Sequence, residues 1–391
     1  MWLIIASACI GAAAWWKLRL VSWHVEGTAN TALMESSSWL RGTFEITEHR
    51  YEVAQIDGHV YNVVGLFFTL VCTLFRGASQ LLTGVAQFPN GLYAFVILVP
   101  LPLAAFWAYR QAGLSARPAA IFTVASILGT SLWPTLALCG DGDLYSINHV
   151  IAVVGLFLVG GDSLGKRRIW PAGIGLCMAV WSRQMTSLYV PALLWIAWRS
   201  PAIGASRRTV HAVAWVAICA GLPMAMNYAK FGNPLESGYR WIYEGRTDPI
   251  ARAARDCFYG PANTPAHFRA MWISLPLLDI RHGRPMIDAS DTPGTPLWFT
   301  TPVVIGVIVT ARRWWADPAR RILMLASFAV MLALMGYHTT AAQGSGHYRY
   351  ALDFLPIWLL CISPYLLGPS GRVWTGLAFV WSIAYYMLLV R

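Results

Sequence analysis

Apolar runs close to the width of a bilayer recur along the whole chain, with short polar breaks between them. A hydrocarbon core about 30 Å thick takes roughly 20 apolar residues per helix, fewer where aromatic ends sit in the interface. The runs that predict spanning helices are Trp2–Trp16, Gly91–Tyr109, Ala119–Cys139, Ile147–Gly160, Trp170–Val180, Leu188–Trp198, Val210–Asn227, Leu297–Thr310, Ile322–Tyr337, Leu352–Leu367 and Val373–Val390. Val63–Phe75 is apolar but short for a span, and reads as a stretch lying in the interface. Two polar segments stand out by length, Ser22–Gly58 and Tyr228–Pro296; both are long enough to fold over the membrane surface and carry function. The pattern predicts an all-α polytopic bundle of about eleven spans. It forms a single integral-membrane domain over residues 1–391, with 22–58 and 228–296 as long extracytoplasmic loops.

Composition agrees. Only 12% of residues are charged and 57% are hydrophobic, against roughly 25% charged in an ordinary soluble chain. A soluble globular enzyme and a disordered chain are both excluded, since neither stays dispersed with so little charge. The formal net charge of +11 does not indicate nucleic acid. Its basic residues sit in short clusters between apolar runs: Arg110 and Arg117, Lys166-Arg167-Arg168, Arg199 with Arg207-Arg208, Arg312-Arg313 with Arg320-Arg321, and Arg372. These fall in alternate short loops, which the positive-inside rule makes cytoplasmic. Asp141, Asp143, the 228–296 loop and His338–Arg349 then lie on the opposite side.

The N-terminal end admits two arrangements. If Val63–Phe75 lies flat, Ser22–Gly58 is outside with the other long loop; if it spans, that loop moves inside, as Lys17 and Arg19 favour. Only the first gathers both long loops on one face, and it is adopted. The first run lacks the basic n-region of a cleavable signal and is expected to stay as a helix. The seven cysteines are scattered, six of them in apolar runs, and form no disulfide framework or CxxC pair.

The common soluble chemistries find no motif. Gly344-Ser345-Gly346 lacks the third glycine and the strand of a dinucleotide fingerprint, and no P-loop, HExxH or G-x-S-x-G elbow is present. What the chain does carry is ionisable residues at membrane borders. Glu26 follows the first helix. Thr31 to Arg41 has helical apolar spacing, with Leu33, Met34, Trp39 and Leu40, and reads as a surface helix. Beyond it come Asp57-Gly58-His59, Asn148-His149, Arg183 between two half-length spans, Asn227–Tyr239 and His347-Tyr348-Arg349-Tyr350. A charge costs about 2.5 kcal/mol or more at mid-bilayer on insertion scales, so such residues are functional candidates. Snorkelling near span ends removes much of that cost.

An acid after the first helix, the segments MESSSWLRGTFEI, DGHVYN, WSRQMTSLYVPALL, NYAKFGNPLESGY and RYALDFLPIW, in this order, resemble bacterial GT-C glycosyltransferases. These are integral-membrane enzymes similar to protein O-mannosyltransferases and aminoarabinose transferases. The resemblance runs from about Trp2 to Leu367 and rests on the order of the segments, since none is strong alone. It implies a bacterial cytoplasmic-membrane enzyme that moves a sugar from a polyprenyl-phosphate donor to an extracytoplasmic envelope acceptor, with lipid bilayer and no nucleic acid as its surroundings. It implies Glu26 as general base and Arg349 as a ligand of the lipid phosphate. Some enzymes of this fold use Mg²⁺ or Mn²⁺ and others none, so the resemblance leaves a cation open and assigns no metal ligand. The chain departs from the pattern in two places: one acid, Glu26, stands before Gly27 where many members have two, and Val63-Val64-Gly65 replaces the Lys-Pro-Pro run that usually follows DGHxY.

The residues taken as substrate-binding candidates are Asp57, His59, Asn148, His149, Arg183, Arg240, His347, Tyr348 and Arg349. Each has a plainer reading beside it. Asp57-Gly58 is also an ordinary turn, Asn148 and His149 also cap a span, and Arg183 would snorkel without a ligand. Tyr348 and Arg349 also make an interface anchor, Arg240 is also a solvated loop charge, and Glu26 is also a solvated acid at a helix end. Glu35 reads as a solvated or helix-pairing charge. Two other classes remain open. A transporter or flippase for a lipid-linked substrate should show an internal repeat and helices broken near the midplane, and no convincing repeat is visible. A non-catalytic membrane subunit would account for the single acid and the missing Lys-Pro-Pro.

Overall fold

The computed structural model describes residues 1–25, 30–47, 53–201, 204–244, 246–275, 277–281, 284–288, 294–340 and 347–389. Helix α1 (Trp2–Leu18) is followed by α2 (Thr31–Leu40), whose N-cap Asn30 accepts from Leu33 N. A hairpin of β1 (Val53–Ile56) and β2 (His59–Asn62) leads into α3 (Leu66–Thr83). Then come α4 (Asn90–Leu98), α5 (Pro100–Gln111), α6 (Ala116–Leu128), α7 (Leu132–Cys139), α8 (Leu144–Leu164), α9 (Trp170–Ser182), α10 (Val190–Arg199) and α11 (Ala205–Phe231). The second long loop holds α12 (Pro249–Cys257), α13 (Thr264–Phe268) and a second antiparallel hairpin, β3 (Leu277–Arg281) with β4 (Arg284–Asp288). The chain closes with α14 (Leu297–Thr300), α15 (Gly306–Val309), α16 (Ala311–Ala316), α17 (Pro318–Leu334), α18 (Leu355–Ile362) and α19 (Pro369–Leu389). The fold is all-α with two small hairpins.

Helix α8 is the axis of the bundle. Its apolar residues are buried all round, as a helix enclosed by others requires. It packs most extensively on α9, then on α5 and α7. The α8–α9 approach depends on two glycines: a Cβ on Gly155 would stand 2.3 Å from Gly175 O, and one on Gly175 would stand 2.5 Å from Gly155 O. Small residues at such a crossing let two backbones meet where no hydrophobic force between helices drives them together. At one end of the bundle Arg320 closes the packing. Its guanidinium donates to Asp317 Oδ2 at 3.1 Å, Cys361 O at 3.1 Å and Ala112 O at 3.1 Å, joining α17, α18 and the end of α5.

By length and hydropathy the spans are fewer than the eleven apolar runs. Among the described residues four helices suffice, Leu66–Thr83, Gly91–Gln111, Leu144–Leu164 and Arg207–Phe231; α6 and α7 make a fifth if taken as one span bent by 60°. Of the remaining runs, two are built from shorter pieces. Leu297–Thr310 is divided among α14, a 3-10 turn starting at Pro302, and α15, while Leu352–Leu367 is divided among two 3-10 turns and α18, which starts at Leu355-Pro356. Proline removes a backbone donor and clashes with the preceding turn, which ends a regular helix. The run read as a short interfacial stretch, Val63–Phe75, leads into and starts a longer helix, α3, which continues to Thr83, meets a span in length and packs along the surface helix α2.

Gly155→Leu should lower stability by about 1–3 kcal/mol through overpacking of the α8–α9 crossing, read as a lower unfolding temperature in detergent. Gly221→Ala, with nothing within 4 Å of the added Cβ, is the control. Equal melting of the two variants would show that the glycine crossing does not hold the bundle.

Candidate functional site

The polar residues that the apolar pattern leaves inside the protein gather in two connected groups. The first is built where α9 ends. Arg183 leaves the helix in an extended conformation (φ −143°), which turns its side chain toward the 3-10 turn Arg349–Asp353 ahead of α18. Arg183 donates through Nη2 at 3.0 Å and Nε at 3.2 Å to Asp353 Oδ2, a two-donor pairing on a carboxylate with no exposure at all. Tyr189 donates to the backbone oxygen of Asp353 at 3.1 Å. On the other side His149 Nδ1 stands 3.3 Å from Asp353 Oδ1, without hydrogen-bond geometry.

An aromatic wall backs this pair. The Arg183 guanidinium lies 5.1 Å from the Tyr350 ring centre, His149 faces the same ring, and His267 stacks on it at 15°. His267 comes from α13 in the second long loop and is fixed at both ring nitrogens. Nε2 donates to Tyr337 O at 2.8 Å, which leaves Nδ1 to accept from the Tyr348 hydroxyl at 2.8 Å. Burial pushes its pKa below the usual histidine range, which favours the neutral imidazole. His338 packs close by, stacked on Phe258 and edge-on to Tyr243; burial lowers its pKa to about 4.

The second group ties the two long loops together. Glu35, on α2, is only 1% exposed. It receives Asn62 Nδ2 at 2.7 Å and Thr69 Oγ1 at 2.9 Å, and pairs with the ammonium of Lys230 in the last turn of α11. Lys230 also donates to Asn62 O at 2.7 Å, and Thr31 donates to Asn62 Oδ1 at 2.6 Å. Asn62 is thus the hub of α2, the first hairpin, α3 and α11. Beside it a narrow cleft with a volume of about 60 Å³ is lined by Glu35, Asn62, Lys230, Ser182, Gln184 and Tyr239. Ser182 and Gln184 flank Arg183, so both polar groups border the same region.

The candidates from the sequence divide accordingly. Arg183, His149 and Tyr348 come together at Asp353 and Tyr350. Arg349 is half-buried one residue before Tyr350, and its buried Nε has no hydrogen-bond partner among the described residues. His347 is buried at the start of the same segment. Asn148 is buried next to this group, its amide pressed on Gly65: a Cβ there would lie 2.3 Å from Asn148 Nδ2. Gly65 also has φ +78° as the residue before α3, so glycine is required on both counts.

Three candidates lie elsewhere. Asp57, with φ 51°, and Gly58, with φ +85°, form the two-residue tip of the β1–β2 hairpin, a turn that Asp-Gly suits by tolerating left-handed backbone. His59 is exposed and pairs with Glu45. Arg240 is 68% exposed, pairs with Glu236 at 3.0 Å and covers the Trp241 ring. Glu26 lies outside the described residues; Val25 and Asn30 on either side of its segment are joined by Asn30 Nδ2 donating to Val25 O at 2.7 Å. Among the described residues no group of three or more His, Cys, Asp or Glu side chains is placed to hold a metal ion.

Asn62, Lys230, Asp353 and His267 are not among the candidates from the sequence. Glu35 reads there as a solvated or helix-pairing charge and is instead enclosed. The signal for Asp353 was present, a lone acid inside the apolar segment RYALDFLPIW, since a charge at such a depth needs a partner.

No protein-family model matches the chain, and no curated protein matches it by sequence. Solved structures do. They are archaeal oligosaccharyltransferases. The Archaeoglobus fulgidus enzyme tethered to an acceptor peptide aligns with 99% of this chain at 12% identity and a TM-score of 0.48. The same organism's oligosaccharyltransferase AglB, in complex with an inhibitory peptide and a dolichol-phosphate, aligns at 12% identity and a TM-score of 0.45. The chain spans 55% of the length of each.

The low pKa of His338 and His267 predicts a pH dependence. A histidine whose folded pKa lies below its unfolded value binds fewer protons when folded, so stability is lost as pH falls below about 6.5 toward the folded pKa. For His338 the window runs from about 6.5 to about 4. The unfolding temperature in detergent should fall across that window, and His338→Gln should reduce the slope. A variant with the same pH slope as the parent would show that His338 does not titrate on unfolding.

Proposed function

We infer that the protein is a membrane glycosyltransferase that moves a sugar from a polyprenyl-phosphate donor to an acceptor outside the cytoplasm. The observation that carries this reading is Arg349, whose buried Nε lacks a hydrogen-bond partner among the described residues at the border of an apolar bundle. A buried cationic donor without a partner is costly, and a lipid phosphate would satisfy it with a charge-assisted bond. The ordered resemblance to GT-C enzymes supplies the reaction class.

In this reading the acceptor hydroxyl attacks the anomeric carbon. Its proton passes to the Glu26 carboxylate, the bond between the anomeric carbon and the phosphate oxygen breaks, and polyprenyl phosphate leaves with the bonding pair. A positioned base contributes about 10²–10⁴-fold, and the guanidinium of Arg349 stabilises the charge developing on the departing phosphate. Arg183 gives two of its donors to Asp353 and holds the Tyr350 wall. The buried carboxylates Glu35 and Asp353 are engaged with Lys230 and Arg183; Glu26 as the base is what the resemblance implies.

The test is native mass spectrometry of the detergent-purified protein offered polyprenyl phosphate and polyprenyl-phosphate sugars. Retention of such a lipid, weakened at least tenfold by Arg349→Ala, is expected, and Glu26→Gln should keep the lipid while transfer falls by about 10²-fold or more. A folded protein that binds no polyprenyl phosphate would overturn the reading. Sugar transfer undiminished in Glu26→Gln would remove that residue from the mechanism.

A further inference from the structure

A second cavity lies far from the site just described. It has a volume of about 620 Å³ and is walled by three helices. α8 contributes Val154, Leu158 and Asp162, spaced four apart on one face; α5 contributes Leu103, Trp107 and Gln111 in the same spacing; α9 contributes Trp170, Ile174 and Met178. His149 and Asp162 are thirteen residues apart on α8, about 20 Å along the axis, so the cavity occupies the other end of the bundle. Its apolar part opens sideways: Leu103, Ile174 and Trp170 are 45%, 42% and 53% exposed. In a membrane that opening faces acyl chains.

The polar groups all sit at one end. Lys166 and Arg168 line the mouth and are exposed, with no ion pair or hydrogen bond from their charged groups among the described residues. Their neighbour Arg167 is engaged, its guanidinium 4.7 Å from the Trp195 ring centre. Asp162 lines the same cavity and offsets one of the two cations, so the rim keeps a net positive charge; its two oxygens accept the backbone N–H groups of Arg168 and Ile169 at 2.9 Å each. That bonding shapes the loop and presents its basic side chains at the mouth. The loop belongs to the basic set that the positive-inside rule places in the cytoplasm.

We propose that this cavity is a binding site for an anionic glycerophospholipid of the cytoplasmic leaflet, one acyl chain lying along the α5–α8–α9 groove and the phosphate on Lys166 and Arg168. The apolar stripe with a cationic rim matches a single-phosphate headgroup above a chain. A zwitterionic lipid gains less, since its own ammonium opposes the rim. The site is separate from the donor site and does not rest on the transferase reading.

The experiment is native mass spectrometry of the whole protein from mild detergent, titrated with phosphatidylglycerol, phosphatidylcholine or polyprenyl phosphate, with chain-free glycerophosphate as competitor. Phosphatidylglycerol should be retained in preference to phosphatidylcholine and resist glycerophosphate. Lys166→Gln with Arg168→Gln should weaken it about thirtyfold, at about fivefold per basic residue near a membrane surface. Leu158→Trp, which fills the groove and keeps the charges, should also weaken it, while Arg349→Ala should leave it unchanged. Equal retention of phosphatidylcholine and phosphatidylglycerol would overturn the proposal. So would phosphatidylglycerol binding that survives both the charge and the groove variants, displacement by glycerophosphate alone, or polyprenyl phosphate taking the groove in place of phosphatidylglycerol.

Discussion

The pairing of Arg183 with Asp353 is the interaction on which the rest of the arrangement depends. Both charges lie inside an apolar bundle, Asp353 with no exposure, where an uncompensated ion is costly. Satisfying them requires two regular helices to stop. α9 ends so that Arg183 can reach sideways, and a 3-10 turn precedes α18 so that Asp353 meets it. The broken ends then set the positions of Tyr350, Tyr348 and His149 around the pair, and His267 from the distant second loop stacks on Tyr350. One ion pair thus joins two helix breaks and sets which aromatic surface the polar region presents.

The Glu35–Lys230 pair repeats this logic for the loops. A hairpin and a surface helix are marginal alone. Asn62 supplies hydrogen bonds to both, and the buried carboxylate of Glu35 needs the ammonium from α11. Glu35, Asn62 and Lys230, which bound the cleft between the loops, have therefore already found partners. Arg349 is the contrast, a cation at the same border with a donor left over.

This distinction also accounts for what the sequence disclosed. The helical class and most apolar runs are legible, because the width of a bilayer imposes a length that composition reveals. The breaks within Leu297–Thr310 and Leu352–Leu367 are less so, since a mean hydropathy does not feel a single proline. Arg183, His149 and Tyr348 are visible as ionisable or amphipathic residues at borders, and they do converge. Glu35 is read as solvated because a surface helix resembles any amphipathic helix until Lys230, far along the chain, is seen to cover it. Asp57 shows the reverse case. Its motif suggests a ligand, and the two left-handed residues of the hairpin tip explain Asp-Gly without one.

The most direct test of this account is a double-mutant cycle on Arg183→Met and Asp353→Leu, read by thermal unfolding in detergent and by retention of polyprenyl phosphate. If the pair organises the bundle, each single variant leaves an uncompensated buried charge and costs about 3–5 kcal/mol. The double variant should then cost far less than the sum, with a coupling of about 1–3 kcal/mol. Single variants that cost under about 1 kcal/mol and add without coupling, with lipid retention unchanged, would show that the helices break where they do for some other reason.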